Sequence, residues 1–103
     1  MLKIYDFSVD YITNPTLIKR SGLRFGWKLT SDRANVLQKG YKITVSNQND
    51  VIFDSGFINS SDFFDISFED LLLSSKTDYT INLSVKDNYG DIAEYSHSVS
   101  TEI

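Results

Sequence analysis

Five carboxylates crowd the middle of the 103-residue sequence and are its densest source of potential chemistry. They are Asp54, Asp62, Asp65, Glu69 and Asp70. Two carboxylates are enough to hydrolyse a glycosidic bond, one as general acid and the other as base or nucleophile. A general acid needs a raised pKa and therefore burial, whereas these residues fall at predicted turns or on the polar side of predicted strands. We interpret them as turn-forming and solubilising charges.

The other candidates for metal binding or catalysis lack partners. His97 is the only histidine and the chain has no cysteine, so the usual metal sites and Ser-His-Asp sets cannot be composed around it. We predict that His97 is a plain surface or edge residue. The run Asp87-Asn88-Tyr89-Gly90-Asp91 lacks the ligand spacing and closing glutamate of a calcium loop. We predict a hairpin turn there, with Gly90 at positive φ, and no cofactor.

Aromatic side chains near turns are the remaining candidates for binding. Phe57, Phe63 and Tyr89 lie beside predicted turns and could be partly exposed. Such side chains can dock a neighbouring domain or stack on a sugar ring. Trp27 instead lies on the buried side of a regular alternation, so we predict a core position for it rather than an exposed sugar-stacking one.

Residues 73–85 are predicted to contain the central strand of the fold, around which the elements that carry these side chains are arranged. Its apolar positions alternate strictly with polar ones and are Tyr79, Ile81, Leu83 and Val85. This alternation predicts a strand with one buried face. A tyrosine at the start of a core strand, just after a chain-crossing turn, is typical of the tyrosine corner of Greek-key sandwiches. We predict that the Tyr79 hydroxyl bonds to upstream backbone and that its ring meets Leu73 and Trp27.

The same kind of alternation predicts six further strands. They cover residues 4–11, 23–30, 41–46, 51–53, 64–68 and 92–101, separated by turn-forming residues. The buried side of the first strand is predicted to hold Tyr5, Phe7, Val9 and Tyr11. Gly26 indicates a bulge or the close approach of another backbone inside the second strand. A single helical turn is predicted within 69–75, the stretch that holds the Leu71-Leu72-Leu73 triplet.

These strands predict an all-β fold, a seven-stranded immunoglobulin-like or fibronectin type III β-sandwich with Greek-key connections. We expect one such domain over residues 1–103. No helix of ~10 residues is available for the crossovers that parallel sheets need. The predicted structural core consists of Phe25, Trp27, Tyr41, Ile43, Val45, Leu73, Tyr79, Ile81, Leu83 and Val85.

Charge and hydropathy narrow the choice of partners. The formal net charge of −4 argues against nucleic acid or an anionic membrane as a partner. No apolar run approaches the roughly 18 residues that a membrane span needs, and the N-terminus lacks the apolar stretch of an export signal. The absence of cysteine fits a reducing compartment. We therefore predict a cytoplasmic location.

Four short motifs, in order, resemble a known family. They are Asn14-Pro15, Arg24-Phe25-x-Trp27, Gln38-x-x-Tyr41-x-Ile43-x-Val45 and Asp54-Ser55-Gly56, followed by the strand that begins at Tyr79. Together they resemble the N-terminal fibronectin type III-like domain of bacterial α-L-rhamnosidases of glycoside hydrolase family 78, over residues 7–101. Leu23 and Gly26 stand where that family typically has proline and serine, and Phe53 where it has tryptophan.

The resemblance implies a role without chemistry of its own. The family's enzymes hydrolyse terminal α-L-rhamnosides with inversion, using carboxylic residues on a separate (α/α)₆ barrel, so no catalytic residue can be assigned here. The leading hypothesis is a non-catalytic accessory domain that packs against other domains of the same polypeptide. Two alternatives stay open: a carbohydrate-binding module that uses Phe57, Phe63 or Tyr89, and a stand-alone adhesive or scaffold domain. The oligomeric state is not predicted.

Overall fold

The computed structural model describes residues 1–102, and these form strands and loops with no helix. Ile103, the last residue of the predicted domain, lies outside the described residues. The strands are β1 (Lys3–Val9), β2 (Ile12–Thr13), β3 (Leu17–Ile18), β4 (Phe25–Thr30), β5 (Gln38–Asn47), β6 (Asp50–Asp54), β7 (Asp78–Asp87) and β8 (Ile92–Thr101). Accordingly, residues 1–102 contain no helix long and apolar enough to cross a membrane.

The strands form two sheets that face each other across one core. The smaller sheet has the order β2-β1-β4 and the larger has the order β3-β8-β7-β5-β6. The short strand β3 pairs in parallel with β8, and the other pairings described are antiparallel. Neighbours in each sheet are often far apart in sequence, as the predicted Greek-key sandwich requires. The fold class is therefore confirmed, with eight strands in place of seven.

Six of the predicted strands are present close to their predicted positions. The predictions for 4–11, 23–30, 41–46, 51–53, 79–85 and 92–101 correspond to β1, β4, β5, β6, β7 and β8, and the bounds of β8 are those predicted. In β7 the inward side chains are buried at every second residue from Tyr79 to Asp87. A strict period of two therefore identifies a strand that has one face on the core.

The buried face of the first strand was predicted incorrectly at both ends. Phe7 and Val9 are buried, but Tyr5 and Tyr11 are exposed. The pairing of β1 with β4 shifts register between Tyr5 and Ser8, and Asp6 adopts a φ of 50°. This bulge moves the side chains before it to the opposite face. Ile4 consequently packs against the core in place of Tyr5.

The predicted strand at 64–68 is wrong, although one of its residues pairs. Ile66 forms an isolated bridge with Phe25, through N–O hydrogen bonds of 2.7 and 3.0 Å. Asp65 has a φ of 61°, which breaks the extended run that a longer ladder would need. The helical turn predicted within 69–75 is also wrong, because the structure has only a turn at 69–70 there, in which the Leu71 N–H donates to the Phe68 carbonyl at 3.3 Å. Leu72 lies after that turn. That segment lies outside any helix and buries Leu71 and Leu73 on either side of an exposed residue.

The core lies between the two sheets and contains all ten residues assigned to it from the sequence. It also includes Phe7, Val9, Ile18, Leu23, Phe53, Ile66, Leu71 and Val99. The Trp27 and Tyr41 rings meet edge to face with centroids 5.1 Å apart. The tyrosine corner is confirmed, because the Ser74 N–H donates a 2.9 Å hydrogen bond to the Tyr79 hydroxyl.

Neighbouring side chains pack closely over the smaller sheet at Gly26. A Cβ at this position would lie 2.9 Å from the Ser8 hydroxyl oxygen and 3.3 Å from a ring carbon of Phe64. Only glycine leaves room for both groups. The nearest groups are therefore side chains, whereas the sequence predicted the close approach of another backbone; the nearest such backbone atom, the Phe63 carbonyl oxygen, would lie 3.6 Å from the added Cβ. The predicted bulge lies in the neighbouring strand β1.

Candidate interaction surfaces

The five clustered carboxylates do not form an acid–base site. Asp54, Asp62, Asp65, Glu69 and Asp70 are all exposed. Asp54 accepts the Gly56 N–H at 2.8 Å and lies 3.6 Å from the Lys42 ammonium. Exposed carboxylates lack the desolvation that would make one of them a general acid. Their positions agree with the interpretation of turn-forming and solubilising charges.

The motif Asp54-Ser55-Gly56 has a structural task at the end of β6. The Ser55 hydroxyl accepts the Ile43 N–H at 2.9 Å and donates to the Gly56 carbonyl at 2.8 Å. The Ser55 N–H in turn donates to the Ile43 carbonyl at 2.9 Å. The serine side chain thus continues the ladder of β5 past the point where β6 ends.

The turn at Asp87–Asp91 is a hairpin connection held by a buried carboxylate. Asp87 Oδ1 accepts the N–H groups of Tyr89 and Asp91, both at 2.9 Å, and Gly90 has the predicted positive φ, 88°. The whole Asp87 side chain is buried, and its Oδ2 has no hydrogen-bond partner among the described residues. No metal-binding group of His, Cys, Asp and Glu occurs within residues 1–102. The burial of Asp87 was not foreseen from its polar sequence context.

His97 helps to hold the Asn14-Pro15 turn against β8. Its Nε2 lies 2.6 Å from the Pro15 carbonyl oxygen, which can only accept, so Nε2 carries the proton. The Tyr95 hydroxyl donates to Asn14 Oδ1 at 2.6 Å in the same turn. His97 is partly buried and bonded to this turn, whereas the sequence predicted a plain surface or edge residue.

The three aromatic residues proposed for binding are half-exposed but lie in separate places. Phe57 packs over Gly40, where an added Cβ would come within 2.4 Å of its ring. The ring of Tyr89 is covered by the Arg33 guanidinium at 4.9 Å. Phe63 lines an open groove with other apolar side chains. The three therefore do not form a common flat platform for a sugar.

The groove that contains Phe63 is lined mainly by apolar surface. It has a volume of about 700 Å³ and is lined chiefly by Tyr5, Lys28, Leu29, Leu37, Gln38 and Phe63. We call it the Tyr5–Phe63 groove. The sequence did not indicate Tyr5, because the alternation gives no sign of the β1 bulge that turns it outward. It did not indicate Leu37, because that residue lies between the predicted strands 23–30 and 41–46.

Gln38 braces one wall of the Tyr5–Phe63 groove. Its Oε1 accepts the indole N–H of Trp27 at 2.9 Å. Its amide nitrogen donates to the carbonyls of Ser60 at 2.9 Å and Asp62 at 2.7 Å. The Trp27 backbone N–H donates to the Phe63 carbonyl at 2.9 Å. The segment that carries Phe63 forms no strand, but its backbone is held by hydrogen bonds at the carbonyls of Ser60, Asp62 and Phe63.

A second aromatic cluster lies on the outer side of the smaller sheet. The rings of Tyr11 and Phe64 are 5.5 Å apart, and Phe64 covers Gly26. The Tyr11 hydroxyl donates to Asp65, and this hydrogen bond is the main cause that raises the pKa of Tyr11. Asp65 also lies 3.8 Å from the Arg24 guanidinium. The hydrogen-bonding groups of this cluster thus bond to one another.

Two further ionisable groups are perturbed, each for a local reason. Burial, followed by the nearby charge of Asp62, raises the pKa of Tyr41. A hydrogen bond from the N-terminal ammonium lowers the pKa of the Asp32 carboxyl. Tyr41 packs against Trp27 and Asp32 is exposed, so neither shift marks a site of acid–base catalysis.

Three solved structures share the fold. They are α-L-rhamnosidases from Streptomyces avermitilis, complexed with L-rhamnose (22% identity, TM-score 0.85), from Dictyoglumus thermophilum (21%, 0.82) and from Aspergillus terreus (19%, 0.77). The similarity covers 99%, 96% and 99% of this chain but 11%, 12% and 12% of theirs. At these identities the likeness establishes the fold alone, and the chain spans only a small part of each enzyme.

Sequence comparison supplies the family. No curated protein sequence matches the chain. The family described as "Rha78A-like, N-terminal immunoglobulin domain" matches residues 4–103, nearly the whole length. The chain therefore belongs to the family of Rha78A-like N-terminal immunoglobulin domains.

Proposed function

We propose that this chain is a non-catalytic accessory domain of an α-L-rhamnosidase, which spaces or docks the enzyme's other domains. The observation that carries the proposal is the family match over residues 4–103. The three solved structures of the same fold are α-L-rhamnosidases in which the matching part is 11–12% of the chain. The partners proposed are accordingly other domains of the same polypeptide.

The chemistry of the proposed enzyme belongs to a domain outside this chain. Inverting hydrolysis of a terminal α-L-rhamnoside needs a buried carboxylic acid and a carboxylate base placed for it. The clustered acids of this chain are exposed, which supports a catalytic domain elsewhere. Two further parts of the proposal are a cytoplasmic location and the absence of nucleic acid or membrane among the partners.

Carbohydrate binding is the second candidate function. The half-exposed rings of Tyr5 and Phe63 in one groove favour it, because aromatic rings stack on sugar faces. The polar groups of that groove count against it. The Gln38 amide is already bonded to Trp27, Ser60 and Asp62.

An activity assay on two proteins tests the proposal. The isolated 103-residue chain and the polypeptide encoded by the whole native gene are each incubated with an aryl α-L-rhamnoside. We expect hydrolysis by the longer polypeptide and none by the isolated chain. Hydrolysis by the isolated chain, or a gene that encodes no further domain, would refute it. Cell fractionation of the native protein checks the location, and activity in the medium would contradict a cytoplasmic one.

A further inference from the structure

We propose that the Tyr5–Phe63 groove is the face on which a later part of the same polypeptide docks, by inserting apolar side chains. This inference rests on the proposed function and adds the surface and the chemistry of the partner. The groove is open along the edge of β4, and its exposed apolar residues are Tyr5 (45% exposed), Phe63 (53%) and Leu37 (68%).

The walls of the groove are held in place by hydrogen bonds and strand pairing within the domain itself. Gln38 holds the carbonyls of Ser60 and Asp62, and Trp27 holds the carbonyl of Phe63. Tyr5 is directed outward by the bulge of β1. Because these walls are fixed by hydrogen bonds and strand pairing, docking would cost little conformational entropy.

The polar groups around the groove favour an apolar occupant over a sugar. Both hydrogens of the Gln38 amide and its oxygen are engaged, and the Lys28 ammonium lies 3.5 Å from the Asp6 carboxylate. The hydroxyls of Tyr5 and Ser61 are the groups left to bond a sugar in this groove. Two hydroxyls replace only part of the hydrogen bonds to water that a sugar would lose, and this loss is costly. Apolar side chains would lose none.

The size of the groove favours an occupant in the same polypeptide over a second copy of this chain. At about 150–250 Å² for a whole aromatic side chain, the exposed parts of Tyr5, Phe63 and Leu37 offer roughly 300 Å². A stable interface between separate proteins buries about 800 Å² on each partner. A covalent tether replaces the missing area, because it gives the occupant an effective concentration in the millimolar range.

The direction of the chain narrows the choice of occupant further. Leu37 lies beside the β7–β8 turn, where the Asn88 N–H donates to its carbonyl at 2.9 Å. From that turn β8 runs ten residues to Thr101, a distance of about 30 Å. In the proposed enzyme, residues that follow β8 would start at the end of the sandwich remote from the groove. The occupant that we propose is therefore an element that returns along the domain, and not the residues immediately after β8.

Side-chain labelling by hydroxyl radicals tests this inference. Oxidation at Tyr5, Leu37 and Phe63 is measured in the isolated chain and in the polypeptide encoded by the whole gene. Side chains at the centre of an interface are fully desolvated, so we expect oxidation to fall by about fivefold on Phe63 in the longer polypeptide. Comparable falls are expected at Tyr5 and Leu37. Leu72 and Val51, which are 69% and 60% exposed away from the groove, are the controls and should not change.

A pair of matched variants provides a second measurement within the longer polypeptide. Leu37→Asp places a charge in the groove, and Leu72→Asp places one at an equally exposed position outside it. We expect Leu37→Asp to restore oxidation of Phe63 to the level of the isolated chain. Leu72→Asp should leave the protection of Phe63 intact.

Each contrary outcome has a distinct meaning. Equal oxidation of Phe63 in the isolated chain and in a polypeptide that hydrolyses rhamnosides would overturn the docking face and leave the proposed function standing. Absence of rhamnosidase activity would instead overturn the proposed function. Protection of the isolated chain by millimolar L-rhamnose would assign the groove to a sugar, and protection that grows with protein concentration would assign it to a second copy.

Discussion

Gln38→Ala is the substitution that most directly tests how the irregular segment at 57–66 is held. Gln38 connects Trp27 in β4 to the carbonyls of Ser60 and Asp62, through three hydrogen bonds of 2.7–2.9 Å. Alanine removes all three at once. The backbone of β5 is unaffected, because alanine can occupy the same strand position.

The expected loss follows from what each former partner can do afterwards. The carbonyl of Asp62 lies in an exposed residue and that of Ser60 in a partly exposed one, so water can replace much of their bonding. Trp27 is buried, at 2% exposure, so its indole N–H is left unpaired at a cost of about 1–3 kcal/mol. The two carbonyls add a smaller net loss of hydrogen bonding. In total we expect the free energy of unfolding to fall by about 2–4 kcal/mol.

Urea unfolding followed by tryptophan fluorescence measures this change, because Trp27 is the only tryptophan and a partner of Gln38. Gln38→Glu separates the contributions, since a carboxylate still accepts from the indole but cannot donate to the carbonyls. Lys39→Ala, on an exposed neighbour in β5, is the control. An unfolding midpoint for Gln38→Ala equal to that of Lys39→Ala would refute the bracing role.

Three other predictions follow from single side chains. Tyr79→Phe should lower the free energy of unfolding by about 0.5–1.5 kcal/mol through loss of the bond to Ser74, and Tyr79→Ala by about 3–5 kcal/mol; an unchanged urea midpoint for the alanine variant would rule out the tyrosine corner. Asp87→Ala should lower the free energy of unfolding by about 2–4 kcal/mol, because two turn N–H groups lose their acceptor. Asp87→Asn keeps that acceptor but buries an amide NH2 where Oδ2 has no partner, so it should lower the free energy of unfolding by less than Asp87→Ala; equal midpoints for the two would contradict this. The Tyr11 hydroxyl bond to Asp65 raises the Tyr11 pKa above 10.0, so its contribution to stability is complete below pH 10 and is lost as the pH rises through the folded-state pKa. A difference ultraviolet titration against Tyr11→Phe checks this, and a Tyr11 midpoint at or below the ordinary value would contradict it.

The sequence was most informative where one face of a strand is buried along its whole length. The alternation in β7 and the placement of Tyr79 predicted both the sandwich and its corner, because burial on one side of a pleated strand enforces a period of two. The position of Phe63 beside a turn also indicated a partly exposed aromatic side chain.

The errors have two physical causes. The orientation of Tyr5 depends on a bulge at Asp6 with positive φ, and such a bulge leaves no compositional trace in the alternation. The alternation of Phe64, Ile66 and Phe68 suggested a strand. In the structure Ile66 alone pairs, in an isolated bridge, since an extended loop can bury every second side chain without a ladder. The hydrogen bonds of Gln38 could not be predicted from its place in a motif, because its three partners lie in two distant segments of the sequence.

The central proposal is that this domain has a structural role in an α-L-rhamnosidase and supplies none of its catalytic residues. The most direct measurement is the steady-state rate of rhamnoside hydrolysis by the whole-gene polypeptide after its clustered acids are replaced together by the matching amides. The residues to replace are Asp54, Asp62, Asp65, Glu69 and Asp70. We predict kcat and kcat/KM equal to those of the wild type. A fall in kcat of about a hundredfold or more, as expected on removal of a general acid or base, would contradict the claim.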